Sequence, residues 1–291
     1  HNRGDGTFED VTAKAGLFDS SSKSLGVAVL DTDRDGWPDL FVANDTQPNK
    51  LYRNQRNGTF QEVALRAGVA FSADGKARAG MGVDAADFDN SGRSSVVVTN
   101  FDREMLALYR SGGDGLFSDL APETHLGRDT LHSLGFGCFF FDADLDGNLD
   151  LLVVNGHIDD MMQKVTDTPY AQQPHLFLNN GKGDLYDVAY AVGGGFANPK
   201  IGRGAAYGDF DNDGDLDILI TTNRGPAFLY RNDQYSGNRS LRLRLVGTKS
   251  NRSGIGTNID ITYGGGRKAS RQVKSGSSYL SQSELPVTFG L

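Results

Sequence analysis

The chain has 291 residues, 38% of them hydrophobic and 23% charged, with a formal net charge of −8 at pH 7. That composition suits a buried core and excludes a disordered chain. Its one cysteine, Cys138, excludes a disulfide framework, and without an apolar run of about 18 residues no membrane-spanning helix is expected.

In chain order, the opening HNRGDGTFED has neither a signal-peptide pattern nor an initiator methionine and reads as cut from something longer. Its RGD, Arg3–Asp5, invites an adhesion reading. The same place in later repeats carries the turns NQRNGTF and RSGGDGLF, so a turn is the favoured reading. GTFEDVTAKAGL then reads as a fourth strand lacking its first three.

An acidic decapeptide follows four times: DTDRDGWPDL from Asp31, DFDNSGRSSV from Asp87, DADLDGNLDL from Asp142 and DFDNDGDLDI from Asp209, at spacings of 56, 55 and 67 residues. Glycine-rich apolar runs precede each copy, as in LGVAVLD and LGFGCFFFD. Short hydrophobic runs follow, as in LFVAND and ILITTN, and then NKLYRNQ, LALYRSG, HLFLNNG and AFLYRND. A further element such as GTFQEVALRAGV closes the first three repeats. Runs of four to seven Val, Ile, Leu and Phe between Gly, Asn and Asp predict strands. Four strands per unit of about 55 residues predict an all-β fold, a β-propeller of four-stranded blades. The last repeat has three strands, so the N-terminal strand is expected to complete it and hide an edge. Four blades close in this way alone, or form part of a larger ring.

Each acidic loop joins the first strand of a blade to the second. Acids at positions 1, 3, 5 and 9, with glycine at 6, place hard oxygen donors around one point, which suits Ca²⁺. Magnesium prefers a smaller octahedral shell, and zinc would call for Cys or His, absent from every loop. Site one is Asp31, Asp33, Asp35 and Asp39 with the Trp37 carbonyl. Site three is Asp142, Asp144, Asp146 and Asp150 with the Asn148 carbonyl. Site four is Asp209, Asp211, Asp213 and Asp217 with the Asp215 carbonyl. Site two keeps Asp87 and Asp89 but has Ser91 and Ser95 at positions 5 and 9, beside the Arg93 carbonyl, and is expected to bind weakly.

These loops and flanks resemble FG-GAP/VCBS repeats, the calcium-loop blades of integrin-type propellers. The tail from 241, above all GTKSNRSGIG and SGSSYLSQSELPVTFGL, resembles the start of an ASPIC/UnbV domain. The insert NGHIDDMMQKVTDTPYAQQPHLFLNNG is similar to the same cartilage acidic protein-like family. The resemblance implies a larger propeller, often of seven blades, in a secreted or surface protein.

Composition changes near 236: residues 1–235 carry a net −15 and residues 236–291 a net +7. A boundary is expected there, between 1–235 as blades and 236–291 as a small β domain. The basic residues alternate with others along strands, so docking on the acidic blades of the same or a neighbouring chain is favoured over nucleic acid. The remaining motifs read as structure: Cys138 as core, GGG at 193–195 and 264–266 as turns, His157 and His175 as packing, Asp159 and Asp160 as a solvated loop.

The resulting expectation is an extracellular, calcium-binding, non-enzymatic interaction module with protein or glycan partners at the cell surface. Self-association into a head-to-tail filament, or a glycan-binding or glycan-acting propeller, are the alternatives.

Overall fold

Each of the four acidic stretches turns the first hairpin of a small antiparallel sheet in the computed structural model, which describes residues 1–164, 166–234 and 236–291. Blade one comprises β1 (Ser24–Leu30), β2 (Asp39–Asn44), β3 (Lys50–Asn54) and β4 (Phe60–Glu62), and blade two β5 (Val83–Ala86), β6 (Ser95–Val98), β7 (Ala107–Gly113) and β8 (Leu116–Asp119). Blade three comprises β9 (Gly135–Phe141), β10 (Asp150–Asn155), β11 (His175–Asn179) and β12 (Leu185–Asp187). Blade four has β13 (Gly202–Gly208), β14 (Asp217–Thr222) and β15 (Phe228–Tyr230). The protein is all-β and propeller-like, with strands in sequence order across every blade.

Burial explains the strand patterns. Every residue of β9 and β10 is buried, because blades two and four cover both faces of blade three. Hence GFGCFFF and DLLVVN read as continuous apolar runs rather than alternations. In β1 one face packs on blade two through Ala28 and Leu30, while Leu25, Val27 and Val29 on the other face stay exposed.

Blades approach closely through a glycine five residues before each loop. A side chain at Gly26 would meet Met81 O, one at Gly82 would meet Phe136 O, and one at Gly137 would meet Arg203 O. The fourth of the series, Gly204, faces Ser281 Oγ and Tyr279 O of the C-terminal tail instead of a further blade.

The expected closure by the N-terminal strand does not occur. Among the described residues the sheet of blade four is three-stranded, and the pairing of residues 1–10 is a bridge between Asn2 and Phe8. The segment lies against blade one: Phe60 N–H donates to Ala15 O, and Lys50 pairs with Asp19 at 2.9 Å. Gly16 sits on Phe60 O as Gly68, ending the short helix α1 (Ala64–Ala67), sits on Phe117 O. AKAGL thus takes the place before blade one that LRAGV takes before blade two, and that seat holds it away from β15.

The C-terminal residues form two antiparallel pairs: β16 (Ser240–Leu243) with β19 (Val287–Gly290), and the hairpin of β17 (Asn258–Tyr263) with β18 (Arg267–Gln272). Phe289, Val287, Ala269 and Val273 form their core. Residues 277–281 run along the inner strands, where Ser278 and Val83 exchange backbone hydrogen bonds and Ser278 Oγ accepts from Cys138 N–H.

Candidate metal centres

All four acidic loops share one backbone, the weak one included. Position 4 has a left-handed conformation at Arg34, Asn90, Leu145 and Asn212, with φ between 53° and 62°, and glycine at position 6 has φ between 78° and 99°. The glycine lacks the Cβ that disfavours this region. In loops one to three its N–H donates to the position-1 carboxylate: Gly36 to Asp31 at 2.8 Å, Gly92 to Asp87 at 2.9 Å and Gly147 to Asp142 at 3.1 Å.

The carboxylates converge in three of the four. Asp31, Asp33 and Asp39; Asp142, Asp144 and Asp146; and Asp209, Asp211 and Asp217 each bring one oxygen per residue within 4.8 Å of the others. Loop two makes no such group among the described residues: Asp89 is paired with Arg110 at 2.8 Å, Ser91 Oγ lies 3.5 Å from Asp87, Ser95 Oγ accepts from Ser111 N–H, and Arg93 donates to Ser111 O.

Position 5 shapes the turn. Asp35, Asp146 and Asp213 accept from the N–H of Trp37, Asn148 and Asp215 at 2.8–2.9 Å. Asp35 also pairs with Arg56 at 2.7 Å, which holds its carboxyl below the usual range, and Arg53 pairs with Asp33. The Asp215 side chain accepts from Gln234 N–H, and Asn148 bonds Asp146 and Asn90.

Position 9 staples the blade. One oxygen of Asp39, Asp150 and Asp217 accepts the position-2 N–H, from Thr32, Ala143 and Phe210. The other accepts, at 2.8 Å in every case, the N–H of Asn54, Asn179 or Asn232 at the close of the third-strand segment. These asparagines also donate through Nδ2 to the position-8 carbonyls. Sequence reasoning assigned them no role, although Asn recurs at this place in NKLYRNQ, HLFLNNG and AFLYRND and becomes Ser111 where position 9 is Ser95.

The donors fit a hard cation. Burial pushes Asp142 and Asp87 up to about 6, Asp150 well above the usual carboxylate range, and Asp39 and Asp217 upward. Burial also raises Asp144, with the Asp146 charge adding to it. Crowded carboxylates resist ionisation unless a cation offsets them. Asp142 Oδ1 and Asp209 Oδ1 are buried and have no hydrogen-bond partner among the described residues, whereas a buried oxygen ordinarily finds one.

Other sequence motifs fall to structure. The RGD lies in an exposed turn whose Asp5 caps Thr7 through N–H and Oγ1. His157 is buried beside Phe101, and Asp159 caps Met161. Both GGG stretches are positive-φ turns, and Cys138 is buried. Ser133, His175 and Asp187 form a hydrogen-bonded line at 3.1 and 2.6 Å. Asp187 accepts from Leu176 and Ala189 N–H, however, as Glu62 and Asp119 do at the same place in blades one and two. That acid is blade architecture.

Residues 1–42, 31–98, 87–153 and 165–220 match the FG-GAP-like repeat, and residues 247–291 match ASPIC and UnbV. The chain is 34% identical to Homo sapiens Cartilage acidic protein 1 over 165 residues, covering 54% of this chain and 24% of that protein. It is 25% identical to the Xenopus tropicalis protein of the same name over 295 residues, covering 100% of this chain and 43% of that one. The chain therefore spans less than half the length of either relative. A solved Agrocybe aegerita lectin, described as recognising non-reducing terminal N-acetylglucosamine, aligns at 17% identity and a TM-score of 0.46 over 91% of this chain and 69% of that one. Four matched repeats over four acid-looped blades, followed by the matched C-terminal residues, carry one conclusion: the chain belongs to the FG-GAP-like repeat family and carries an ASPIC and UnbV segment.

Proposed function

We propose that the chain is an extracellular, calcium-stabilised propeller module that binds partners at the cell surface rather than catalysing a reaction. One observation carries this reading: three loops hold converging acids, two of them with buried, unpartnered oxygens. Site one would use Asp31, Asp33, Asp35, Asp39 and the Trp37 carbonyl. Sites three and four would use the same positions, Asp142 to Asp150 and Asp209 to Asp217, and loop two, with two acids, would bind weakly. The position-9 acids tie the loop to the third-strand segment and retain lone pairs for a cation. When bound, the ion offsets the carboxylate repulsion and cross-links the first hairpin.

A ligand that binds only the folded state stabilises it by about 2.7 kcal/mol per site at a hundredfold excess over Kd. Extracellular calcium modules work at about 10⁻⁴–10⁻³ M, which suits a calcium-rich exterior. Chelation by EGTA should lower the melting temperature strongly, and unchanged melting would sink the metal role. Division into blades at 1–235 and a small β domain at 236–291 belongs to the same proposal, with limited proteolysis near 236 as its check.

A second reading is self-association. The end blades expose apolar side chains, Leu25, Val27 and Val29 on blade one and Phe210, Leu219 and Leu229 on blade four. Apolar faces of this kind favour contact with another surface. Monodisperse single particles in negative stain, at concentrations well above micromolar, would count against it.

A further inference from the structure

The position-1 carboxylates divide into two kinds. In loops one and two both oxygens bond within their own loop: Asp31 accepts from Asp35 and Gly36 N–H, and Asp87 from Gly92 N–H and Ser91 Oγ. In loops three and four one oxygen is held from outside, by the C-terminal strands. Asp142 Oδ2 accepts from Gly290 N–H at 2.9 Å as well as from Gly147. Asp209 Oδ2 lies 2.6 Å from Arg242 Nη1, in the place where the other loops use the position-6 glycine N–H. In both, the second oxygen is the buried, unpartnered one.

We propose that the C-terminal strands complete metal sites three and four, with Arg242 a positioning residue that holds Asp209 by one oxygen and leaves Oδ1 for the cation. This rests on the calcium reading above. Two further observations support it. Arg242 is anchored on its own side by Glu284, whose N–H donates to Tyr207 O, so the guanidinium is fixed before any ion arrives. Loop three is gripped along its backbone as well, Asn238 donating to Asp144 O, Arg267 to Asp146 O and Arg271 to Gly147 O. A carboxylate already oriented by one charged partner loses less freedom when it takes a second. Metal binding at these two loops and seating of the C-terminal strands are therefore favourably coupled, and the coupling must act in both directions.

The test is calcium-dependent hydrogen exchange of the full chain, read separately on peptides covering each loop. In the unaltered protein, loops one, three and four should gain protection with calcium. Arg242→Gln should move the loop-four midpoint to roughly tenfold higher calcium while loop one keeps its own, and Arg242→Lys should recover part of the loss. Calcium should also slow exchange in β16 and β19, and do so less in Arg242→Gln. Retained protection of β9 in the variant establishes that the blades are folded. An unchanged loop-four midpoint overturns the proposal, as does a tighter one, which would make Arg242 a competitor of the ion. If no loop of the unaltered protein responds to calcium, the calcium reading falls with it; if loop one responds and loop four ignores Arg242, only the coupling fails.

Discussion

At the scale of residues, position matters more than charge. Four acids at positions 1, 3, 5 and 9 share three kinds of work: positions 1 and 3 converge in all three full loops, joined by position 9 in loops one and four and by position 5 in loop three, while position 5 also caps the turn and position 9 also staples the blade. The pattern was legible because acid and glycine recur at fixed offsets. Position 4 was not, since Arg34, Asn90, Leu145 and Asn212 share a left-handed backbone and no chemistry. Lys200 was equally silent in the sequence. It is buried, its Nζ donates to Phe196 O at 2.8 Å and Asn198 O at 2.6 Å, and it faces the rings of Phe196, Phe228 and Tyr230 at 5.5–5.9 Å. Burial lowers its pKa to about 8. The folded chain thus sheds this proton before the unfolded chain does, so stability rises as pH climbs from about 8 towards the unfolded value. Lys200→Met should flatten the increase in melting temperature between about pH 7.5 and about pH 10, the interval that spans the folded and unfolded values. An increase identical to that of the unaltered chain would refute this assignment.

At the scale of elements, the blade hairpins separate into a staple and a metal cradle. Asp217 accepts from Phe210 and Asn232 N–H, whereas Asp211 makes no such backbone bond among the described residues. Asp217→Ala should therefore cost about 1–3 kcal/mol even in EGTA, the penalty for stranding polar partners. Asp211→Ala should be nearly silent in EGTA and destabilising in calcium. Denaturant titrations in both buffers distinguish the two, and equal losses in EGTA would contradict the division. Strand existence was readable, because the runs in blade three are continuous where two neighbours cover them and the runs in blade one are not. The seat of the N-terminal segment was not readable. GTFEDV has the same pattern whichever edge it joins, and what decides is the contact of Gly16 with Phe60 O.

At the scale of the whole molecule, the charge asymmetry finds a use inside one chain. Lys274 pairs with Asp84 and Arg242 with Asp209, and Arg271 is buried among the charges of Asp142 and Asp87. Coulomb attraction between a net +7 segment and a net −15 array is partly screened by salt. Raising NaCl from low concentration to about 1 M, where the screening length falls to about 3 Å, should speed exchange or proteolysis of 240–291 before that of β9 and β10. Simultaneous loss would show that apolar packing alone seats the tail. The tail's path was hidden in the sequence because its holds on the blades are scattered single contacts: the Ser278–Val83 bridge, the hydroxyls of Ser278 and Ser283, and the ion pairs of Lys274 and Arg242. Yet residues 277–281 touch two distant points at once, Val83 in blade two and Gly204 in blade four. The tail therefore works as a gauge: an extra or missing repeat between those points would pull its two seats apart, so the spread of three blades is written into the length of one short segment.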